Sequence, residues 1–60
     1  MSVFKFLINL RIQKSKELMT LFPDMTIREV AERAGFNDTS YFCLVFKKVE
    51  GITPTEFRGG

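Results

Sequence analysis

An all-α fold is predicted for these 60 residues: a long helix, then a helix-turn-helix, then a short terminal helix. Two apolar sets repeat at i, i+3, i+4 and i+7, first Ile27, Val30, Ala31 and Ala34, then Phe42, Val45, Phe46 and Val49. Gly35 stands between them, at the place where a helix commonly ends in a left-handed residue. No stretch of strand length alternates polar and apolar residues.

The first segment is expected from about Val3 to Met19 or Thr20. Val3, Phe4, Phe6, Leu7, Ile8, Leu10 and Ile12 crowd its first half, and only Lys5, Asn9 and Arg11 interrupt them. A helix packing on one neighbour needs an apolar stripe little wider than about 100°, and this one is apolar on most sides. Phe6, Leu7 and Leu10 are expected to serve the domain's own core. Phe4, Ile8 or Ile12 are then left without an obvious partner, an exposed patch that invites self-association. Met19 and Met25 read as core fillers, Met1 as an initiator or another filler.

The second segment is expected over Ile27–Ala34. Thr26-Ile27-Arg28-Glu29 has the form of a capping box, in which the threonine hydroxyl accepts from the Glu29 amide and the Glu29 carboxylate reaches back to the Thr26 amide. Arg28, Glu29, Glu32 and Arg33 make the polar face. The third segment is expected from Asp38 to Val49, with Asn37 as its cap and Gly51 as its stop. Its core stripe is Phe42, Val45, Phe46 and Val49, with Phe46 set against Val30 and Ala34. Thr53-Pro54-Thr55-Glu56 repeats the capping-box form, with proline at the first helical position, where its missing N–H is harmless. The organisation is one domain, a joining helix over 1–22 and a helix-turn-helix unit over 26–58.

Composition narrows the function classes. The chain is 45% hydrophobic and 27% charged, which suits a folded domain. A domain this small buries only about 60% of the surface its unfolded chain exposes, so its stability is modest. The net charge of +2 is compatible with nucleic acid without proving it. One cysteine and no histidine exclude an internal disulfide and a Cys/His metal site, and no cofactor is expected. Catalysis has little support: no histidine, no glycine-rich phosphate loop and no paired carboxylates with room for a pocket. No apolar run is long enough to span a membrane, no signal peptide is evident, and an unpaired thiol suits the reducing cytoplasm.

Winding the third segment at about 100° per residue sets Ser40, Cys43, Leu44 and Lys47 opposite the core stripe, with Thr39, Tyr41 and Lys48 at the borders. Such a face, small or polar at its start and basic at its end, suits the major groove of duplex DNA. The amino end offers N–H groups to phosphate, and Lys47 and Lys48 reach backbone further along. Asn37, Asp38, Thr26 and Arg28 complete the expected contact set at the starts of the two helices. Arg11 is either a phosphate ligand or a structural bridge. Arg58 is expected to brace the last turn rather than touch DNA.

The sequence resembles the carboxy-terminal part of AraC-type transcription regulators. The resemblance rests on Leu10-Arg11-Ile12, Lys16-Glu17-Leu18-Met19, Thr26-Ile27, Val30-Ala31, Gly35-Phe36, Ser40-Tyr41-Phe42, Val45-Phe46-Lys47-Lys48, Gly51, Thr53-Pro54 and Phe57-Arg58. It spans nearly the whole chain at the family's spacing. It implies binding to double-stranded promoter DNA and control of transcription. Only the joining helix and the second of the family's two helix-turn-helix units are represented, so a first unit and an effector domain are expected to lie outside this sequence. Three residues depart from the pattern. Leu44 stands where arginine is frequent, Ser15 where a small apolar residue is usual, and Cys43 where serine is usual. The alternative reading is a helical protein-interaction module, with Leu44 and the apolar first segment as its contacts and little DNA affinity of its own.

Overall fold

The computed structural model describes residues 2–59. Four helices follow one another: α1 (Val3–Leu21), α2 (Ile27–Arg33), α3 (Thr39–Glu50) and α4 (Pro54–Arg58). Nineteen residues of α1 make a rod of about 28 Å, which sets the 33 Å long axis of the molecule. α2 and α3 pack against it and each other, and α4 packs on α3.

Phe4 is 65% exposed, as expected, but otherwise the rotation of α1 is the reverse of that expected from the sequence. Ile8 and Ile12 are 8% and 0% exposed and belong to the core, with Ser15, Leu18 and Met19 continuing the same face. Phe6, Leu7 and Leu10 are 53%, 43% and 51% exposed. The first half of α1 is apolar nearly all round, so its own pattern could not choose a face. The choice comes from the second half, where only Ser15, Leu18 and Met19 are free of charge and of solvent, and a continuous helix carries that orientation back to Ile12 and Ile8. Ser15 is fully buried yet costs no unpaired group, because its hydroxyl donates to the Ile12 carbonyl at 2.6 Å.

Each helix end is closed locally. Ser2 caps α1 by accepting from the Lys5 amide. Thr26 accepts from the Glu29 amide at 3.1 Å, but the returning Glu29 carboxylate meets the Thr26 hydroxyl at 3.2 Å instead of its amide, so the first capping box is half formed. The second is complete: the Glu56 amide donates to Thr53 and the Thr53 amide donates to Glu56 Oε1 at 2.9 Å. Hydrogen bonding of the Glu56 carboxyl with the Thr53 backbone first, and with its side chain second, holds that carboxyl below the usual carboxylate range.

The α2–α3 turn is a Schellman motif. The Phe36 amide donates to the Ala31 carbonyl at 2.9 Å and the Gly35 amide to the Glu32 carbonyl at 3.1 Å, with Gly35 at φ +100°. Phe36 is thereby turned into the core, its ring 5.1 Å from that of Phe42. From there an aromatic row runs through Phe42 and Phe46 to Phe57 of α4, at centroid separations of 5.8 and 5.6 Å. Phe42 and Phe46 are fully buried, Val45 is half-buried, and Val49 is exposed, so the core stripe of α3 ends one turn earlier than its spacing suggests. One further tie was not legible: Lys16 of α1 pairs with Glu50 of α3 at 3.2 Å, both side chains partly sheltered.

Candidate nucleic-acid interface

The local chemistry at the start of α3 decides what can approach it. Asp38, not Asn37, is the N-cap, and its carboxylate accepts from the Tyr41 amide at 3.1 Å. Asn37 is exposed and caps nothing, because the helix begins one residue later than expected. The cap occupies one of the free amides and sets a negative charge at the helix mouth. A negative charge there disfavours an anion such as phosphate.

Ser40, Leu44, Lys47 and Lys48 share the outer side of α3 at spacings of four, three and one, all exposed, with Leu44 67% open. Among the described residues neither lysine pairs with a carboxylate. Cys43 departs from the expectation. It is half-buried and packs on the core, because it sits about 60° round the helix from Phe46, near the edge of the buried sector. Burial pushes its thiol up from the ordinary value.

A second group of expected residues meets at the helix starts. Arg28, Asn37 and Thr39 line one shallow polar hollow of about 420 Å³ with Glu32 and Phe36. Arg28 donates to Glu32 at 3.2 Å in an exposed i, i+4 pair, and Thr26 spends its hydroxyl on Glu29. Tyr41 is partly exposed at the border, its ring 6.2 Å from Phe36.

Arg11 comes from α1 and lies across the turn. A Cβ placed on Gly35 would be 3.1 Å from Arg11 Nε and 3.4 Å from its Cδ. Its cation rests beside the carboxyl end of α2, where the helix dipole favours positive charge. Arg58 makes no bracing bond: its Nε and Nη2 are enclosed without hydrogen-bond partners. Among the described residues no cluster of potential metal ligands exists, and no helix is long and apolar enough to cross a membrane.

A family model described as a helix-turn-helix domain matches residues 1–60. The arabinose operon regulatory protein of Salmonella typhimurium is 41% identical over 59 residues, which is 98% of this chain and 21% of the relative. The chain belongs to the AraC-type helix-turn-helix family. Two further relatives of this AraC-type chain are a transcriptional activator, RhaR, of Pectobacterium atrosepticum (40% over 58 residues; 97% of the chain, 20% of the relative) and an uncharacterized transcriptional regulatory protein, YesN, of Bacillus subtilis (40% over 55 residues; 90% and 15%). The AraC-type chain thus spans about a fifth or less of the curated relatives it matches. No solved structure matches it.

Proposed function

We propose that this chain binds double-stranded promoter DNA through α3 and serves transcription regulation in the cytoplasm, as the second helix-turn-helix of an AraC-type regulator. The observation that carries the reading is the outer side of α3, where Ser40, Leu44, Lys47 and Lys48 are exposed while Phe42 and Phe46 anchor the opposite side. A helix held so firmly from behind presents its front at fixed depth, which the reading of base edges requires. Ser40 offers a small polar contact. Leu44, in place of a more usual arginine, favours apolar contact with a thymine methyl. Lys47 and Lys48 meet phosphate. Thr39, Tyr41, Asn37 and Arg28 flank the groove-facing side. Arg11 supports it from the turn, and Thr26 acts through its cap. Cys43 contributes its packing. In the longer relatives' plan, a first helix-turn-helix and an effector domain add further contacts and control.

Fluorescence anisotropy on a labelled duplex across a salt series tests the reading. The wild-type chain is expected to show a clear negative slope of log affinity against log salt. Lys47→Ala is expected to weaken binding to all sequences alike and to flatten that slope by about one counterion. A salt-independent affinity, identical in wild type and variant, refutes the role of Lys47 and favours the second reading, a protein-interaction module. The exposed apolar side of α1 is the observation on which that second reading stands.

A further inference from the structure

We infer that Lys16 of α1 is a positioning residue for DNA binding: it holds the Glu50 carboxylate away from Lys47 and so keeps the basic end of α3 free for phosphate. The inference rests on the reading of α3 as the DNA-contacting helix.

Glu50 is the last residue of α3, where the helix dipole disfavours a carboxylate and favours the two lysines of the same turn. It stands three residues after Lys47, a spacing at which side chains on a helix meet. Its carboxylate nevertheless turns away from Lys47. It accepts from the Lys16 ammonium at 3.2 Å, across 34 residues of chain, with both side chains partly buried.

The other carboxylates of the helix-turn-helix unit are also committed. Glu29 is bonded to Thr26, Glu32 to Arg28, Asp38 to the Tyr41 amide and Glu56 to the Thr53 amide. Each of these finds its partner within four residues. Glu50 depends on another helix. The Glu56 carboxyl is held low by its bonds to the Thr53 backbone and side chain, with the Lys47 charge the least of the causes. Both acids that could neutralise Lys47 are therefore tied elsewhere. Without Lys16, Glu50 would be a partly buried charge with no counter-ion at the negative end of a helix. Lys47, one turn back, is then its next partner, and that internal pair competes with phosphate for one ammonium.

A double-mutant cycle read by fluorescence anisotropy across a salt series tests this. Lys16→Met is expected to weaken duplex binding roughly three- to tenfold at low salt and to flatten the salt slope by about one counterion. Lys14→Met, which removes an exposed charge from the same helix, is expected to keep the wild-type slope. Glu50→Gln alone is expected to behave as wild type, because Glu50 is already held. Lys16→Met with Glu50→Gln is expected to regain the wild-type slope, a non-additive pair. A folding defect lowers affinity by one factor at every salt concentration and leaves the slope alone. An unchanged slope in Lys16→Met overturns the inference. So does a slope that stays flat in the double variant, which would make Lys16 itself a phosphate contact, or an equal gain from Glu50→Gln in both backgrounds. A wild-type chain without DNA affinity fails the reading of α3 instead. The pairing is then judged on the DNA-free chain by side-chain ammonium NMR. A Lys47 resonance that moves with Lys16→Met and returns in the double variant supports it, and one that does not move overturns it.

Discussion

Phe46→Ala is expected to remove most of the chain's stability at room temperature. Phe46 has no exposed surface, and its ring edges onto both Phe42 and Phe57, so it joins α3 to α4 as well as to the body. Removing a buried phenylalanine costs about 3–5 kcal/mol in lost burial and residual cavity. A domain of this length has roughly 3–9 kcal/mol to lose. The small size that limits the core also limits relaxation, because few neighbours exist to close the gap. Urea titration followed by circular dichroism measures it. A cooperative transition within about 1 kcal/mol of wild type would mean that Phe46 is not the anchor of α3.

Gly35→Ala is expected to cost about 1–3 kcal/mol, the strain of holding an L-residue at φ +100°. The new methyl would also press on the Arg11 side chain, whose far end can move aside. Backbone strain therefore dominates, and the two effects are separable. A synthetic chain with D-alanine at position 35 relieves the backbone and points its methyl elsewhere, so its stability is expected to return to that of wild type or above. Equal losses for the L and D forms would show that space, not φ, dictates glycine there. The strain matters for function because this turn sets the angle at which α3 leaves α2.

The helices of this chain were legible wherever a local rule decided them. The caps at Thr26 and Thr53, the left-handed Gly35 and Gly51, and the burial of Val30, Ala31, Phe42 and Phe46 follow from spacing and turn chemistry alone. The misreadings share a cause: each depended on neighbours that the sequence does not place. The first half of α1 is apolar on most sides, so its facing was set by Ser15, Leu18 and Met19 further along. Val49 has the right period for the core but lies at the end of α3, past the reach of its covering. Cys43 lies at the border of the buried sector, where a small rotation decides between groove and core. The Lys16–Glu50 pair joins residues 34 apart and leaves no local trace.

Of the candidate interface, the outer residues Ser40, Leu44, Lys47 and Lys48 were legible because a helix wheel needs only the identity of the core stripe. The place of Arg11 across the Gly35 turn was not, since it depends on how α1 crosses α2. The place of Asp38 as the cap of α3 was concealed by sequence order alone. As the N-cap it stabilises α3, and it also sets a carboxylate where phosphate would otherwise be welcome.

The most direct test is a duplex-DNA titration followed by backbone amide chemical shifts, which a 7.0 kDa chain permits throughout its non-proline residues. The account predicts that shifts concentrate on Thr39–Lys48, strongest at Ser40, Leu44 and Lys47, with Val3–Leu10 unchanged. Shifts confined to Val3–Leu10, or none on α3 at saturating DNA and low salt, would contradict it.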